Sequence, residues 1–318
     1  MGICTSRGEV LFDLSDAGNA EGVSMLLERA EKKGNDLAPI VNWQLPGKTH
    51  HAYTSLMRSA WNGNKEIVEA LIKHGANVDM VNDHDRSALM FAAMDGYTEI
   101  VGCLLAANAK VDLQDTDGMT ALLYAAASED LHTDIVRLLV DAGAAVDLAA
   151  TNKHHKIEGQ TALMGACKFG HMSAVDILLD SGADLHKEDA RGHSALFYAA
   201  QYGHEDIVKH LIAKGADANK TNSHGHTAHH FAPEHVKEVL PAPPSDVVTT
   251  SEGKEVELGS DTWIDKNPEE DTGSVWTEKL PESPVPVKSG QTKEEPSSPL
   301  PPMPPGTLVE EFQKDMRV

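Results

Sequence analysis

The chain has 318 residues, of which 49 are acidic and 27 are basic, and its formal net charge is −22. This charge argues against nucleic acid as a partner, because phosphates require a basic footprint on the protein. Three cysteines are too few for a disulfide scaffold and indicate a reducing compartment, and we find neither an apolar run long enough to span a bilayer nor a secretory signal peptide.

The first eight residues, MGICTSRG, are similar to the start of dually acylated proteins. Gly2 and Ser6 fit the N-myristoylation pattern, and Cys4 lies where a palmitoyl group is often added. One myristoyl chain gives only marginal membrane binding, so a second signal is needed. Arg7 is the only basic residue before Arg29, which favours a second acyl chain over a basic patch. We therefore expect residues 1–8 to tether the chain to the cytosolic face of a membrane.

Residues 9–34 predict a helical N-terminal cap. They contain Gly18-Asn19 at a turn and Val23, Leu26 and Leu27 at helical spacing, with charged residues between them. Residues 35–53 form a longer connection to the next part of the chain.

From residue 54 onward, a pair made of a small residue followed by leucine, or by histidine in the last copy, returns at a fixed interval. A period of 33 residues indicates stacked copies of one small unit, and the single 41-residue interval indicates an insertion of eight residues in the third unit. The pairs are Ser55-Leu56, Ala88-Leu89, Ala121-Leu122, Ala162-Leu163, Ala195-Leu196 and Ala228-His229.

Each unit predicts two helices. A Ser or Thr precedes the first helix as an N-cap, and a glycine, or Asn108 in the second unit, closes the second helix. Cys103 and Cys167 fall at apolar helix positions and are expected in the core. The second-helix positions expected to join neighbouring units are Leu104, Leu139, Leu178 and Leu211.

The segment TALMGACKFGHMSAVDILLDSGADLHKEDARG, residues 161–192, resembles an ankyrin repeat, and close versions occupy each register. The resemblance implies an all-α ankyrin repeat solenoid of helix–turn–helix units with finger loops over residues 9–240. The implied repeats are 54–85, 86–118, 119–159, 160–192 and 193–225, followed by a C-terminal half-repeat at 226–240.

The resemblance also implies where a protein partner binds. In this family the variable residues near the end of each first helix and on the fingers face a concave groove. The first-helix candidates are Trp61, Met94, Lys168, Phe169, Gln201 and Tyr202. The finger candidates are His84, Arg86, Thr116, Met119, Arg191 and His193. Packing of Trp61, Phe169 and Tyr202 onto neighbouring turns is the alternative interpretation.

The sequence contains no clear motif for catalysis or for a bound cofactor. The histidine-rich segment 224–235 suggests a metal site, but the repeat register explains most of its histidines. We find no nucleophile–base pair, glycine-rich phosphate loop or paired carboxylates. The expected protein is therefore not an enzyme and has no metal, cofactor or small-molecule substrate.

Residues 241–318 shift to Pro, Ser, Glu and Thr, with 16 acidic and 7 basic residues, and predict a disordered acidic tail. Within the tail, a W-x-[acid]-K-x-P motif occurs twice, 13 residues apart. Three interpretations are open: a bivalent peptide ligand, a segment that folds back onto the repeats, and a coincidence in a biased sequence. Its positions are Trp263, Lys266 and Pro268, and Trp276, Lys279 and Pro281.

Two functions fit these features. The first is a membrane-tethered adaptor or scaffold that recruits an unknown protein through the concave face. The second is a soluble regulatory subunit or inhibitor of an enzyme that acts through the tail. Acylation of Gly2 distinguishes the two.

Overall fold

The computed structural model describes residues 6–44, 52–130, 132–151 and 158–241. Over these residues the chain is helical, with only isolated β-bridges between neighbouring loops, as the sequence predicts. The helices are α1 Arg7–Asp16, α2 Ala20–Lys32, α3 Ala38–Val41, α4 Ser55–Trp61, α5 Lys65–Lys73, α6 Ala88–Met94, α7 Thr98–Ala106, α8 Ala121–Ala126, α9 Thr133–Asp141, α10 Ala162–Phe169, α11 Met172–Asp180, α12 Ala195–Gln201, α13 Glu205–Ala213, α14 Ala228–Phe231 and α15 Glu234–Lys237.

The helices form two layers. The first helix of each unit contacts the first helix of the next, from α1 through α4, α6, α8, α10 and α12 to α14. The second helices form a parallel series from α2 through α5, α7, α9, α11 and α13 to α15. Each unit therefore buries its apolar surface against its neighbours, as expected of a solenoid.

Side-chain caps start most of the first helices. The hydroxyl groups of Thr54, Ser87, Thr120 and Thr161 each accept the backbone N–H of the residue three positions later, at 3.2–3.4 Å. Ser194 occupies the same position without this hydrogen bond. The predicted N-cap hydrogen bond is therefore present in four repeats and absent at Ser194 and at Thr227, which precedes α14.

The second helices carry the core between repeats. Leu104, Leu139, Leu178 and Leu211 are all 0% exposed, which confirms their predicted position. Cys167 is also buried, but the prediction for Cys103 is wrong. Ile100, Val101 and Leu104 form the inward stripe of α7, so Cys103 lies on its outer side, where its thiol donates to Glu69 Oε1 at 3.6 Å.

The N-terminal cap begins earlier than the sequence predicts. Helix α1 starts at Arg7, and Ser6 forms a capping box with Glu9, in which each residue's side chain accepts the other's backbone N–H. The short helix α3 was not predicted. It leads to Trp43, which packs against α1 so closely that a Cβ atom on Gly8 would collide with the indole.

Within the described residues, no helix is both long enough and apolar enough to cross a bilayer. Gly2, Cys4 and the two tail motifs lie outside the described residues.

Candidate protein-binding face

The fingers are held in place by buried polar side chains. Asp115 Oδ1 accepts the backbone N–H groups of Asp117 and Met119, both at 2.9 Å, which closes the finger turn. Its Oδ2 atom accepts the hydroxyl of Tyr124 at 2.5 Å and the Nε–H of Arg86 at 3.1 Å. A buried carboxylate needs such partners, because its desolvation is otherwise costly.

The same arrangement recurs two repeats later. Asp189 Oδ1 accepts the backbone N–H groups of Arg191 and His193 at 2.9 and 2.8 Å, and Oδ2 accepts the hydroxyl of Tyr198 at 2.8 Å. Burial raises the pKa values of Tyr124 and Tyr198 well above the usual tyrosine range, so both hydroxyls stay protonated and can donate.

Fingers of adjacent repeats are joined through their backbones. The N–H of Thr116 donates to the carbonyl of His84 at 3.0 Å, and the N–H of Ser223 donates to the carbonyl of Arg191 at 3.0 Å. These hydrogen bonds set the spacing of finger side chains along one side of the stack. We call the surface formed by the C-terminal ends of α4, α6, α8, α10 and α12 together with the fingers the first-helix face.

Four of the predicted contact residues are buried, so the expectation that they are exposed on this face is wrong. Met119 is 1% exposed, Arg86 and His193 are each 8% exposed, and Lys168 is 7% exposed. Arg86 is drawn inward by the carboxylates of Asp115 and Asp117, whereas His193 stacks on Phe197 at 5.1 Å between ring centroids. The fingers turn back toward the helices, so the side chains of Arg86, Met119 and His193 are buried beneath the first-helix face.

The remaining predicted residues lie at the surface. Thr116 is exposed, and the others are partly exposed: Trp61, His84, Met94, Phe169, Arg191, Gln201 and Tyr202.

Trp61 belongs to an aromatic stack in the N-terminal half of the face. Its ring packs against those of both Tyr53 and Phe91, with a centroid distance of 5.9 Å and an interplanar angle of 26° in each case, and the Tyr53 and Phe91 rings are 5.6 Å apart. The guanidinium of Arg58 lies 4.5 Å from the centroid of the indole and is also ion-paired with Asp16. The sequence did not predict that Tyr53, Phe91 and Arg58 belong to this group. Because Trp61 packs against all three, the structure assigns it a packing role.

Phe169 and Tyr202 form a second aromatic group, around a buried cation. The ammonium of Lys168 lies 5.6 Å from the centroid of the Phe169 ring and 5.3 Å from that of Tyr202. A cation next to the face of an aromatic ring is stabilised by the ring quadrupole. Lys168 thereby links the ends of α10 and α12 beneath two partly exposed rings.

The histidine-rich C-terminal segment is organised by stacking. The rings of His226 and His230 stack at 4.2 Å with an interplanar angle of 5°, and Phe231 lies edge-on to both. Among the residues that the structure describes, no cluster of three or more His, Cys, Asp or Glu side chains is arranged to hold a metal ion.

Asp95 follows α6 at its C-terminal end. Although its side chain is at the surface, desolvation by the surrounding residues raises the pKa of its carboxyl group to about 6. Ionisation of Asp95 near neutral pH therefore costs free energy in the folded state.

Comparison with known proteins agrees with this geometry. The ankyrin repeats family model matches overlapping segments from residue 11 to residue 240, which is more than half of the chain. The chain therefore belongs to the ankyrin repeat family, whose repeats serve as protein-interaction modules.

Solved structures show the same fold. The ankyrin repeat domain of Bcl-3, a member of the IkappaB protein family, has a TM-score of 0.59 and 23% sequence identity, covering 75% of this chain and 99% of that chain. The human ASB11 ankyrin repeat domain has a TM-score of 0.59 and 22% identity, covering 74% of this chain and 99% of that chain. The comparison with curated protein sequences found no significant match.

Proposed function

We propose that this protein is a non-catalytic adaptor that binds a protein partner through the first-helix face and is held at the cytosolic face of a membrane by acyl groups on Gly2 and Cys4. The observation that carries the binding proposal is the pair of partly exposed rings of Phe169 and Tyr202 around Lys168. Aromatic side chains and arginine dominate the energy of protein interfaces.

The surroundings of these rings favour binding because they are already ordered. Lys168 lies beneath both rings, and the finger beside them is closed by Asp189. Binding to ordered side chains costs less conformational entropy than binding to mobile ones. Arg191, which is partly exposed on the same finger, is held in place by an ion pair with Asp189 and by a hydrogen bond that it donates to the hydroxyl of Tyr198.

The membrane part of the proposal is supported by the sequence MGIC and by the position of α1. Helix α1 begins at Arg7, five residues after Gly2 and three residues after Cys4. An acyl group on Gly2 or Cys4 would thus hold the domain close to the bilayer. The two chains together are needed because a single myristoyl group binds reversibly.

The binding proposal is tested by replacing both rings in the full-length protein. Phe169→Ala with Tyr202→Ala should abolish capture of the proteins that co-purify from cell extract, whereas Asp206→Ala, on the exposed side of α13, should leave capture unchanged. Circular dichroism checks that both variants are folded. Retention of every partner by the double variant would contradict the proposed face and favour a site in the tail.

The membrane proposal is tested by fractionating cells that express the full-length protein. Gly2→Ala should move the protein to the soluble fraction, and Cys4→Ser should leave weak, reversible binding. Ile3→Ala serves as the control that keeps both acceptor residues. Full membrane binding of Gly2→Ala would contradict the proposal, and an entirely soluble wild-type protein would favour the regulatory-subunit function.

A further inference from the structure

The loops between repeats are joined by a series of side-chain hydrogen bonds. A side chain in one loop accepts the backbone N–H of a residue in the next loop, so each bond ties one unit of the stack to its neighbour. We call this series the loop ladder. Its pairs are Asn42 Oδ1 with the N–H of Asn77 at 2.7 Å, Asp79 Oδ1 with that of Lys110 at 2.8 Å, Asp112 Oδ1 with that of Ala145 at 2.9 Å, and Asp147 Oδ1 with that of Asp184 at 3.1 Å.

The loop ladder stops after the fourth repeat. Each aspartate of the ladder lies four residues after the glycine or asparagine that closes the preceding second helix, and His186 occupies the same position after Gly182. An exposed imidazole thus replaces the carboxylate, and the N–H of Asp217 has no side-chain acceptor in the part of the chain that the structure describes. The junction between the fourth and fifth repeats therefore lacks the bond that ties each earlier pair.

The fifth repeat and the half-repeat also lack the hydroxyl caps of the earlier repeats. Neither Ser194, before α12, nor Thr227, before α14, makes a side-chain N-cap hydrogen bond, whereas Thr161 before α10 does. Two kinds of hydrogen bond are thus missing from the same part of the stack, which comprises residues 193–240.

The contacts that remain at this junction are of the kinds that earlier junctions have. Leu178 and Leu211 are fully buried on its two sides. The N–H of Ser223 donates to the carbonyl of Arg191, and His204 Nε2 lies 2.9 Å from the carbonyl oxygen of Lys168. The stability of a repeat stack is approximately a sum of the repeats and of the junctions between neighbours. A junction with fewer hydrogen bonds is therefore the one that opens first.

Exposed and partly exposed ion pairs stand where the ladder bond is missing. Each of three pairs joins a carboxylate of the fourth repeat to a basic side chain of the fifth. Ion pairs between solvent-accessible side chains contribute little to stability and are screened by salt, so this junction depends on ionic strength. The pairs are His210 Nε2 with Asp176 Oδ1 at 2.9 Å, Lys220 Nζ with Glu188 Oε1 at 2.8 Å, and Lys214 Nζ with Asp180 Oδ1 at 3.7 Å.

We infer that the stack opens at the junction between the fourth and fifth repeats, with residues 193–240 moving as one unit. Phe169 lies on α10 and Tyr202 at the end of α12, so the two rings of the proposed binding site are on opposite sides of this junction. The consequence for binding rests on the proposed function. A partner that contacts both rings binds the closed junction and stabilises it, whereas high ionic strength favours the open form and weakens binding.

Native-state hydrogen exchange of the full-length protein, followed by mass spectrometry, tests the inference without a partner. After correction for intrinsic rates, the amides of α12 and α13 should exchange at least about tenfold faster than those of α8 and α9, because local opening requires less free energy than global unfolding. Raising sodium chloride from about 0.05 M to about 0.5 M should increase this difference, because it screens the ion pairs.

Reciprocal substitutions locate the junction. His186→Asp supplies the missing ladder carboxylate and should slow the exchange of α12 and α13 by about threefold to tenfold, as expected for one net hydrogen bond. His186→Asn, which copies the acceptor at Asn42, is the second variant if the first fails to fold. Asp147→His removes the preceding ladder bond and should extend fast exchange to α10 and α11. Asn219→Asp, at the corresponding position of the last loop, is the matched control and should change nothing.

Several results would overturn the inference. One is exchange of α12 and α13 at the rate of α8 and α9, and another is fast exchange confined to α14 and α15. Unchanged exchange in both His186 variants, or equal slowing by Asn219→Asp, would show that the loop ladder does not set the opening. Capture of partners by the Phe169→Ala, Tyr202→Ala variant contradicts the proposed function alone, because the exchange is measured on the free protein.

Discussion

The hydroxyl of Tyr124 donates to the carboxylate of Asp115 nine residues earlier, and Tyr198 donates in the same way to Asp189, also nine residues earlier. In the repeats that have an asparagine at the finger position, Asn82 and Asn222, the residue nine positions later is phenylalanine. The pairing has a physical reason. A buried carboxylate needs an additional donor, whereas a neutral carboxamide can be accommodated beside a ring that has none.

Tyr124→Phe should therefore destabilise the protein by about 1–3 kcal/mol, because Asp115 loses a buried hydrogen-bond donor. Asp115→Asn with Tyr124→Phe recreates the pair found in the asparagine repeats. The double variant should lose less free energy of unfolding than the sum of the losses of the two single variants. Urea unfolding of the wild type, both single variants and the double variant measures this coupling. Strict additivity would show that the pairing is coincidental.

Leu178→Ala should lower the free energy of unfolding by about 2–5 kcal/mol, because it opens a cavity between α9, α11 and α13. Leu179→Ala is the matched control on the same helix. Leu179 is only partly buried, so this substitution should lower the free energy of unfolding by less than Leu178→Ala does. Both are measured by chemical unfolding. Equal losses for the two variants would mean that the inward side of α11 has been misassigned.

Asp95→Asn should stabilise the protein at pH 7.5, and this benefit should shrink as the pH falls through 6 toward 3.8. Desolvation raises the folded-state pKa of Asp95 to about 6, above the ordinary aspartate value of 3.8. Its protonated form is favoured in the fold, so the stability associated with this group is fully present below about pH 3.8 and is lost as the pH rises from there through about 6. Unfolding midpoints of wild type and variant across this pH range test the sign, and a benefit confined to acid would contradict it.

Gly8→Ala and Gly102→Ala should have opposite effects on the stability of the protein, although both glycines lie in helices. A Cβ atom at position 8 would collide with the base of the Trp43 side chain, so α1 or the α3 connection must shift. A Cβ atom at position 102 meets nothing within 4 Å. Gly102→Ala should therefore stabilise α7 by about 0.5–1 kcal/mol, whereas Gly8→Ala should lower the melting temperature. A neutral Gly8→Ala would show that Trp43 does not pack on α1.

Much of the fold was predictable because it depends on features that are local in the chain. The 33-residue period, the hydroxyl caps at Thr54 and Thr120, and the apolar stripes that bury Leu139 and Leu178 all follow from patterns within one repeat. Asn108 at the end of α7 has a φ of +61°, as its replacement of a glycine predicts.

The candidate site was less predictable. Phe169 and Tyr202 lie at the surface as expected, and the ammonium group that holds them together comes from Lys168, which the sequence placed on the surface. The nine-residue spacing between Asp115 and Tyr124 is visible in the sequence, but its meaning requires the finger to fold back onto the helix.

The sequence by itself therefore determined the repeat architecture, the helix positions and the leucine core, since each depends on residues a few positions apart. Only the tertiary structure decided which polar residues of the fingers are buried. Arg86 is one example, because the carboxylate that draws it inward, Asp115, lies 29 residues away on the next finger. The same is true of Trp43, whose side chain lies against Gly8. Trp43 belongs to the connection 35–53, which lies outside the 33-residue period. Contacts between repeats depend on how adjacent units stack, and no pattern within one unit contains that information.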